Sequence, residues 1–597
     1  MRFRPPLLLL LLALSPAPAH AWALGDTLTT IWKPLPNLPA LVRPGDTLTV
    51  WANAPGSATG WSAGLGYGSY SAALVPVSGG YDASRARWEL GFVVPSGVPE
   101  EVYDLVVQSN ATPTDTSRHS VKVLPAFRTD YYFAQISDTH LPSHTFSTPA
   151  GSGFTTADTS GFPDFNAVIE DLNLIHPEFI LHTGDLVNEG ELEDYLQMYE
   201  MSRAQAALSR LNDPVFVVTG NHDIGGWDAT APPDGTSRRA WWRLFGWPFL
   251  DSPPPGDPGH SQNFAFDYGT LHCVGLETYI NNGSYDGFRT ATYGAQSFTP
   301  EQLAWLSAHL AAVPAGRQKL LFYHYDFGGT TAGGSPGANF SQINPSALGV
   351  DGAIWGHNHG VAEGARGAKP FNLGLQSVID RRSFRLFRVS NGVITPGPMH
   401  HSGGSSSTPL DSLTTTWNAP NDGTAASITA RVTNRFPEAW EHARITFHMQ
   451  PGFGVYTATG GTAAQEFDHD GMHDVTVDFI APSNGIIEVS VTGSGTVSAS
   501  PATLAAGVRL GPAAPNPLVR GAAAGATITF SLPVRAAHAR LVVFDAGGRR
   551  VATLLDGPAE AGPHSARWDA SEVPSGVYLV TLDALGARRT VKLAVVR

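Results

Sequence analysis

Residues 131–140 read Tyr-Tyr-Phe-Ala-Gln-Ile-Ser-Asp-Thr-His, an apolar run that ends in a cluster of polar side chains. The same arrangement recurs four times further along the chain, each time after a short run of β-branched, aliphatic or aromatic residues. Such runs are typical of buried strands, so each cluster is predicted to follow the end of a strand. The five clusters are Asp138-Thr139-His140, Gly184-Asp185-Leu186-Val187-Asn188, Gly220-Asn221-His222-Asp223, His324 and Gly356-His357-Asn358-His359.

Helical patterns separate these runs. Residues 164–176 and 192–211 carry apolar positions at helical spacing, and Thr299-Pro300-Glu301-Gln302 has the residues of a helix N-terminus. Alternating strands and helices predict a central α/β domain whose sheets are flanked by helices. In such domains sites form beyond the carboxyl ends of the strands, so the five clusters are expected to converge.

Among the side chains of these clusters are two carboxylates, Asp138 and Asp185, one amide oxygen, that of Asn221, and four imidazoles, with His222 left over. Oxygen and imidazole donors without thiolates suit Mn, Fe, Zn or a similar divalent ion. Seven donors are more than one closed tetrahedral site can use. The sequence therefore predicts a site for two divalent metal ions.

The five clusters, in this order, resemble the motifs of the calcineurin-like metallophosphoesterase superfamily, which run Asp-x-His, Gly-Asp, Gly-Asn-His, His and Gly-His-x-His. The resemblance covers roughly residues 127–400. It implies a metal-dependent phosphoric ester hydrolase with a two-metal centre. It further implies that one metal ion is held by Asp138, His140 and His359, that the other is held by Asn221, His324 and His357, and that Asp185 bridges them.

The chemistry implied by this resemblance is attack of a metal-bound hydroxide on the phosphorus of a phosphomonoester or phosphodiester. A water shared by two divalent cations loses a proton near neutral pH, and the cations also neutralise charge on the phosphoryl oxygens. By the same resemblance, His222 is the catalytic group that donates a proton or a hydrogen bond to the leaving oxygen.

Two further residues of the clusters, Asn188 and Asp223, are predicted to support the site without binding a metal ion. Asn188 stands where the Ser/Thr phosphatase branch has an aspartate that supports the catalytic histidine, and a neutral partner raises the pKa of His222 less. Purple acid phosphatases have a tyrosine iron ligand at that position and glycine in place of His140, so no tyrosinate-to-iron colour is expected. Asp223 either orients His222 or caps the loop that follows it.

The first 21 residues have the three regions of a secretory signal peptide. Arg2 and Arg4 precede the apolar stretch from Leu7 to Leu14, and Ala19-His20-Ala21 offers a cleavage site. No later segment is long and apolar enough to predict a membrane span. Cys273 is the only cysteine, so no intrachain disulfide can form, and it is expected to be a small core residue. The protein is predicted to be secreted or held at the cell surface.

The mature chain is predicted to divide into four domains. Residues 128–403 form the metallophosphoesterase domain, whereas residues 22–127 and 404–505 alternate like the strands of Ig-like β-sandwiches. Residues 506–597 resemble the small Ig-like sorting domains that type IX secretion systems recognise, through stretches such as Ser575-Gly576-Val577-Tyr578. The secretion machinery is therefore a predicted partner. A polar cluster within residues 468–473 is expected to be a solvated loop rather than a metal site.

Three classes of function remain open on the sequence. An exported phosphoesterase is favoured because all seven donors are present. In the second reading the β domains make the chain a cell-surface adhesion protein with a vestigial central domain, and such a domain would be expected to have lost ligands. An extracellular nuclease or phospholipid-directed esterase could share the same metal core. The net charge of −14 and the absence of a basic stripe predict no constitutive nucleic-acid binding.

Overall fold

The computed structural model describes most of the chain outside the first 29 residues and several internal segments. The predicted signal peptide (residues 1–21), Asn188 and the boundary near residue 404 lie outside the described residues. The described residues are 30–141, 161–187, 194–224, 241, 244–245, 263–278, 298, 300–326, 343–360, 366–403, 413–496, 507–519, 525–534, 536–546, 549–571, 573–585 and 587–596.

The leading region contains two antiparallel-rich sheets, with strand orders β1-β3-β7-β6 and β2-β9-β8-β4-β5. Both sheets contribute to one apolar cluster. It includes Val50 and Phe92 of the first sheet and Leu105 and Val121 of the second. The strands are β1 (Ile31–Lys33), β2 (Ala40–Val42), β3 (Thr47–Ala52), β4 (Ser62–Tyr67), β5 (Tyr70–Ala73), β6 (Val75–Asp82), β7 (Arg87–Val93), β8 (Glu101–Gln108) and β9 (Asp115–Val123).

The central region contains two five-stranded sheets, with orders β12-β11-β10-β18-β19 and β13-β14-β15-β16-β17. Strands β10, β11 and β12 run parallel in the first sheet, and β14 to β17 run parallel in the second. The strands are β10 (Asp130–Ile136), β11 (Ile180–His182), β12 (Val215–Val217), β13 (Asn263–Tyr268), β14 (Leu271–Leu276), β15 (Gln318–Tyr323), β16 (Gly352–Trp355), β17 (Phe371–Gly374), β18 (Ser383–Ser390) and β19 (Val393–His401).

Apolar residues hold the central layers together. Phe133, Leu181, Phe322 and Ile354 belong to one buried cluster shared by the two central sheets. Cys273 lies in the same cluster and is fully buried, as expected of a small core residue. Because both faces of each sheet are covered, the central strands are nearly continuous apolar runs rather than alternating ones.

Helices cover the outer faces of the central sheets. Residues of α1 and α2 pack in a cluster with β10 to β12, and residues of α4 pack with β14 to β16. Among the helices that the structure describes, none combines the length and apolar character needed to cross a bilayer. The helices are α1 (Gly161–Ile175), α2 (Asp194–Leu208), α3 (Asn221–Ile224), α4 (Pro300–Ala312), α5 (Pro345–Leu348) and α6 (Val378–Arg381).

Two strand-rich regions follow the central one. The third region has sheets in the orders β20-β21-β26-β23 and β22-β25-β24, and the last has β27-β29-β32 and β28-β34-β33-β30-β31. The third-region strands are β20 (Leu413–Trp417), β21 (Ser427–Asn434), β22 (Trp440–Met449), β23 (Phe453–Thr459), β24 (Thr462–His469), β25 (Met472–Ala481) and β26 (Gly485–Thr496). The last-region strands are β27 (Arg509–Leu510), β28 (Leu518–Val519), β29 (Ala526–Leu532), β30 (Ala536–Asp545), β31 (Arg550–Ala559), β32 (Gly562–Trp568), β33 (Gly576–Ala584) and β34 (Ala587–Val596).

Candidate metal centre

Each of the five polar clusters follows the carboxyl end of a central strand. The clusters come after β10, β11 and β12 in the first sheet and after β15 and β16 in the second. Backbone hydrogen bonds join the loops directly: Asp138 N–H donates to the carbonyl of Gly184 at 3.0 Å, and Gly356 N–H donates to that of His324 at 2.9 Å. The structure therefore brings together the residues that the sequence predicted would converge.

The backbone of these loops is strained. Asp138, His140, Asp185, His357 and His359 all have positive φ, between 45° and 68°. Non-glycine residues adopt this left-handed region at a cost, and such residues concentrate where a site needs an unusual side-chain direction. Five of the seven predicted ligands are therefore held in a conformation that local preference alone would not select.

Glycines permit the close approach of these loops. A Cβ on Gly356 would overlap the Ser137 hydroxyl and the Asp138 carboxylate, and a Cβ on Gly220 would overlap Asp185. Any larger residue would push the ligand loops apart. The glycines of these two motifs thus act by leaving space beside the carboxylates rather than by contacting a ligand.

The first group of donors is Asp138, His140 and His359. Their ligand atoms lie within 4.8 Å of one another. His359 Nε2 lies 3.4 Å from Asp138 Oδ1 and 3.1 Å from His140 Nε2. Asp138 is fully buried and His359 is one-third exposed, so the group opens to solvent on the side of His359.

The second group contains Asp185, His324 and His357, with the Asn221 amide oxygen among them. His324 Nε2 lies 3.0 Å from Asp185 Oδ2, and His357 Nδ1 lies 3.0 Å from Asn221 Oδ1. Asp185 Oδ2 is also 3.8 Å from His140 Nε2 of the first group. This carboxylate therefore faces both groups, and it is the residue for which the family resemblance implies a bridging role.

The hydrogen-bond partners of His324 indicate whether the second group fits a cation. The Thr183 carbonyl can only accept, so His324 Nδ1 donates to it at 2.8 Å. His324 Nε2 then faces the oxygens of Asp185 and Asn221 at 3.0 and 3.1 Å. A lone pair aimed at oxygen is repelled, so this nitrogen must carry a proton or bind a cation. The donor set therefore fits a divalent metal ion.

Burial and the carboxylates set the protonation of the imidazoles. Burial lowers the pKa of His140 to about 4 and that of His357 to about 4, which keeps both neutral at pH 7. Burial also opposes protonation of His324 and His359, but the Asp185 carboxylate raises the pKa of His324 to about 9. Hydrogen bonds that His359 donates to Asp138 and Asp380 raise its pKa to about 10. Cations bound there would replace these protons.

His222 lies beside both groups. Its backbone N–H donates to Asp185 Oδ1 at 2.9 Å, and its ring packs edge-on against that of His140 with centroids 4.8 Å apart. A ring nitrogen of His222 is within 4.8 Å of ligand atoms of His140 and Asp185. The ring is half-buried, so it remains accessible to a molecule entering the site.

Asp223 joins two of the motif loops. One of its carboxylate oxygens accepts the backbone N–H of Gly220 at 2.8 Å, and the other accepts that of Val187 at 3.0 Å. Burial, reinforced by the neighbouring Asp185, raises the pKa of Asp223 to about 7. These contacts join two motif loops that precede Asp223 in the chain, a role that differs from both alternatives left open by the sequence.

Neither His182 nor Asp380 was assigned a role from the sequence. His182 is fully buried behind the centre, where its Nδ1 accepts from Gly184 N–H at 3.2 Å and its Nε2 contacts Thr139 Oγ1 at 3.1 Å. His182 could have been noticed because it lies two residues before the Gly184-Asp185 motif. Asp380 contacts His359 Nδ1 at 2.6 Å but lies 21 residues further along the chain, and no motif marks it.

A further histidine–carboxylate group lies in the third region. Asp468 and Asp470 are exposed, as expected of solvated residues, but the same expectation was wrong for His469. His469 ends β24 and is buried, because β24 and β25 form a hairpin that packs against the leading region through Tyr67. His448, His469 and Asp474 have ligand atoms within 4.8 Å of one another. Asp474 is buried and accepts from both imidazoles at 2.6 Å, so all three side chains are already paired.

No curated protein matches the chain. Among solved structures, a dimetal phosphatase from Danio rerio is 15% identical, covers 44% of this chain and 93% of its own, and has a TM-score of 0.31. A purple acid phosphatase from yellow lupin (Lupinus luteus) seeds is 13% identical, and the match covers 65% of this chain and 70% of the phosphatase, with a TM-score of 0.31. The calcineurin-like phosphoesterase YfkN from Bacillus subtilis is 11% identical, and the match covers 46% of this chain and 90% of the YfkN chain, with a TM-score of 0.25.

The family comparison concerns the region that holds the metal centre. Residues 131–361 match the calcineurin-like phosphoesterase family, and all seven predicted ligands lie within this match. The donor groups described above add candidate sites for divalent metal ions. Residues 131–361 are therefore a calcineurin-like metallophosphoesterase domain, the domain of a metal-dependent phosphoric ester hydrolase.

Proposed function

We propose that the protein is an exported phosphoesterase that hydrolyses phosphomonoesters or phosphodiesters with two divalent cations. The observation that carries this proposal is the arrangement of two donor groups around one carboxylate, since Asp185 Oδ2 lies 3.0 Å from His324 Nε2 and 3.8 Å from His140 Nε2. A shared carboxylate lets two cations lie close together at reduced repulsion. We propose Mn, Fe or Zn as the ions, from the oxygen and imidazole donors.

The cations would lower the pKa of a shared water and neutralise charge on the phosphoryl oxygens. The chain itself supplies the geometry for this chemistry. Asp138, His140 and His359 would hold one cation, while Asn221, His324 and His357 would hold the other. Because the loops are bonded to one another and conformationally strained, the donors are positioned before substrate binds.

His222 is the chain's own candidate for the proton donor. Its backbone bond to Asp185 fixes it beside the bridging carboxylate, and its half-buried ring faces the side of His140. From there it would donate a proton or hydrogen bond to the leaving oxygen of the substrate.

The proposed activity can be tested with two synthetic substrates. We expect hydrolysis of p-nitrophenyl phosphate or bis-p-nitrophenyl phosphate to be lost on exhaustive chelation and restored by Mn or Zn. The ratio of the two rates would give the preference for monoesters or diesters. Activity that is indifferent to chelation would contradict the proposal.

Export and domain organisation belong to the same proposal. The described strands fall into four groups, over residues 31–123, 130–401, 413–496 and 509–596, which supports the division into 22–127, 128–403, 404–505 and 506–597 after a signal peptide of residues 1–21. We propose that the last domain addresses the protein to the secretion machinery. Removing residues 506–597 should then leave activity intact and prevent release from the cell, and unchanged release would contradict this role.

A further inference from the structure

We propose that Asp380 is a positioning residue for His359, and that it sets the affinity of one of the two metal sites without contacting the ion. The Asp380 carboxylate lies 2.6 Å from His359 Nδ1. An ionised carboxylate can only accept, so Nδ1 carries the proton and donates it to Asp380. His359 Nε2 is thereby turned toward Asp138 and His140, at 3.4 and 3.1 Å.

The element that carries Asp380 is fixed to the metal centre. Helix α6 begins after Ser377, whose hydroxyl accepts from Asp380 N–H at 3.2 Å and donates to Asp380 Oδ2 at 2.8 Å. The first residues of the helix bond to the Asp138 loop, since Val378 N–H donates to the Ser137 carbonyl at 3.0 Å and Ile379 N–H donates to that of Asp138 at 3.2 Å. One short helix therefore supports two donors of the same group.

The two metal sites differ in this outer support. His324, in the second group, donates its Nδ1 proton to the neutral Thr183 carbonyl at 2.8 Å, whereas His359 donates to a carboxylate. A charged acceptor makes the opposite nitrogen a stronger donor to a cation. Asp380 also lies outside the 131–361 region that matches the family. Its loss should therefore weaken the site of Asp138, His140 and His359 and spare the other.

The test is a metal titration of the full-length, metal-free protein and its Asp380→Ala and Asp380→Asn variants. Zn²⁺ binding is followed by competition with a chromogenic chelator, and the unfolding temperature of each metal-free protein is measured alongside. We expect one of two binding events to weaken by about 10-fold or more in Asp380→Ala, since outer-partner mutations typically cost 10–100-fold. The second event should stay unchanged, and the unfolding temperature should fall by no more than it does in the control variant Asp164→Asn. Asp380→Asn should fall between wild type and Asp380→Ala.

Asp164→Asn is the matched control. Asp164 accepts from Arg382, the C-cap residue of α6, at 2.6 Å, so this variant disturbs the same helix without touching His359. Two events as tight in Asp380→Ala as in wild type would overturn the proposal. So would a loss of both events matched by Asp164→Asn, because Asp380 would then serve only the helix. The inference rests on the proposed two-metal centre, but failure of wild type to bind Zn²⁺ would refute that centre itself, separately from the role of Asp380.

Discussion

The metal centre and the His448–Asp474–His469 cluster contain the same residue types but differ in how their atoms are paired. In the third-region cluster, one carboxylate lies between two imidazoles, and both contacts measure 2.6 Å. In the metal centre, nitrogens face nitrogens or oxygens at 3.0–3.4 Å, as between His140 and His359. The first arrangement is complete as hydrogen bonds, whereas the second needs protons or cations between its acceptors.

The backbone separates the two regions as well. His448, His469 and Asp474 belong to strands β22, β24 and β25 and are absent from the residues with positive φ. In the metal centre five donors have positive φ. Strain of this kind persists only where the surrounding structure enforces it. Composition alone therefore does not separate these two regions, whereas pairing and backbone geometry do.

The strongest test of this comparison replaces the central carboxylate of each cluster. We expect Asp185→Asn to lose bound metal and to lower kcat/KM by more than the roughly 100-fold that loss of an outer partner costs, because both donor groups share this residue. Asp474→Asn should retain metal and activity. Metal content per chain and rates with p-nitrophenyl substrates provide the measurement, and equal effects of the two variants would remove the distinction.

Replacing a histidine in each region separates catalysis from binding. His222→Ala should keep its metal content but lower kcat by about 10²–10⁴-fold on substrates with poor leaving groups, because such groups need a proton. The loss should shrink for p-nitrophenyl esters, whose leaving group needs little protonation. His448→Ala serves as the control and should leave kcat unchanged. A His222→Ala defect independent of the leaving group would argue against proton donation.

For stability, in contrast to activity, the larger effect is expected from replacing a residue of the third-region cluster. Removing Asp474 deprives two imidazoles of their buried acceptor, so Asp474→Ala is expected to lower the free energy of unfolding of the third region by about 1–3 kcal/mol. The control is Asp468→Ala, which removes an exposed partner of His473 and should cost roughly 0.5 kcal/mol or less. Scanning calorimetry measures both. Identical unfolding transitions in the two variants would show that the Asp474 bonds contribute nothing.

The smallest expected effect is the pH dependence of that stabilisation. Burial opposes protonation of His469, but Asp474 raises its pKa, and the hydrogen bonds from His448 and His469 lower the pKa of Asp474 despite its burial. Because the pKa of His469 is raised in the folded state, its contribution to stability is full below the unfolded pKa and is lost as pH rises through the folded pKa. Because the pKa of Asp474 is lowered, its contribution is full above the unfolded pKa and is lost as pH falls through the folded pKa. The difference between wild type and Asp474→Ala should therefore be greatest between about pH 4 and about pH 6.5. A difference that is constant from pH 3 to pH 9 would contradict this coupling.

Much of the centre could be predicted because its information is local. The apolar run before Asp138 predicts a strand, and β10 is observed at Asp130–Ile136. His324 stands alone in the sequence, yet its place among the other motifs indicated that it is a candidate metal ligand. The predicted helix over residues 164–176 is α1, Gly161–Ile175, and the predicted helix start at Thr299-Pro300 is that of α4. These features depend on periodicity, strand ends and motif order, which a single sequence displays.

Other features could not be predicted, because they depend on contacts between distant residues. Asp380 reaches His359 through a four-residue helix whose position is set by bonds to the Asp138 loop. Asp223 pairs with Val187 and Gly220 only because two loops meet. The burial of His469 requires the leading region to pack against the β24–β25 hairpin through Tyr67.

The sequence by itself determined which side chains are candidate metal ligands and on which strand ends they lie, since periodicity and motif order are properties of the linear chain. Only the tertiary structure decided which of those side chains lie together as one candidate cation site and which satisfy one another as hydrogen bonds. The physical reason is that coordination depends on the directions of lone pairs at separations near 3 Å. Those directions are set by backbone strain, by second partners such as Asp380 and Thr183, and by the packing of loops from two sheets.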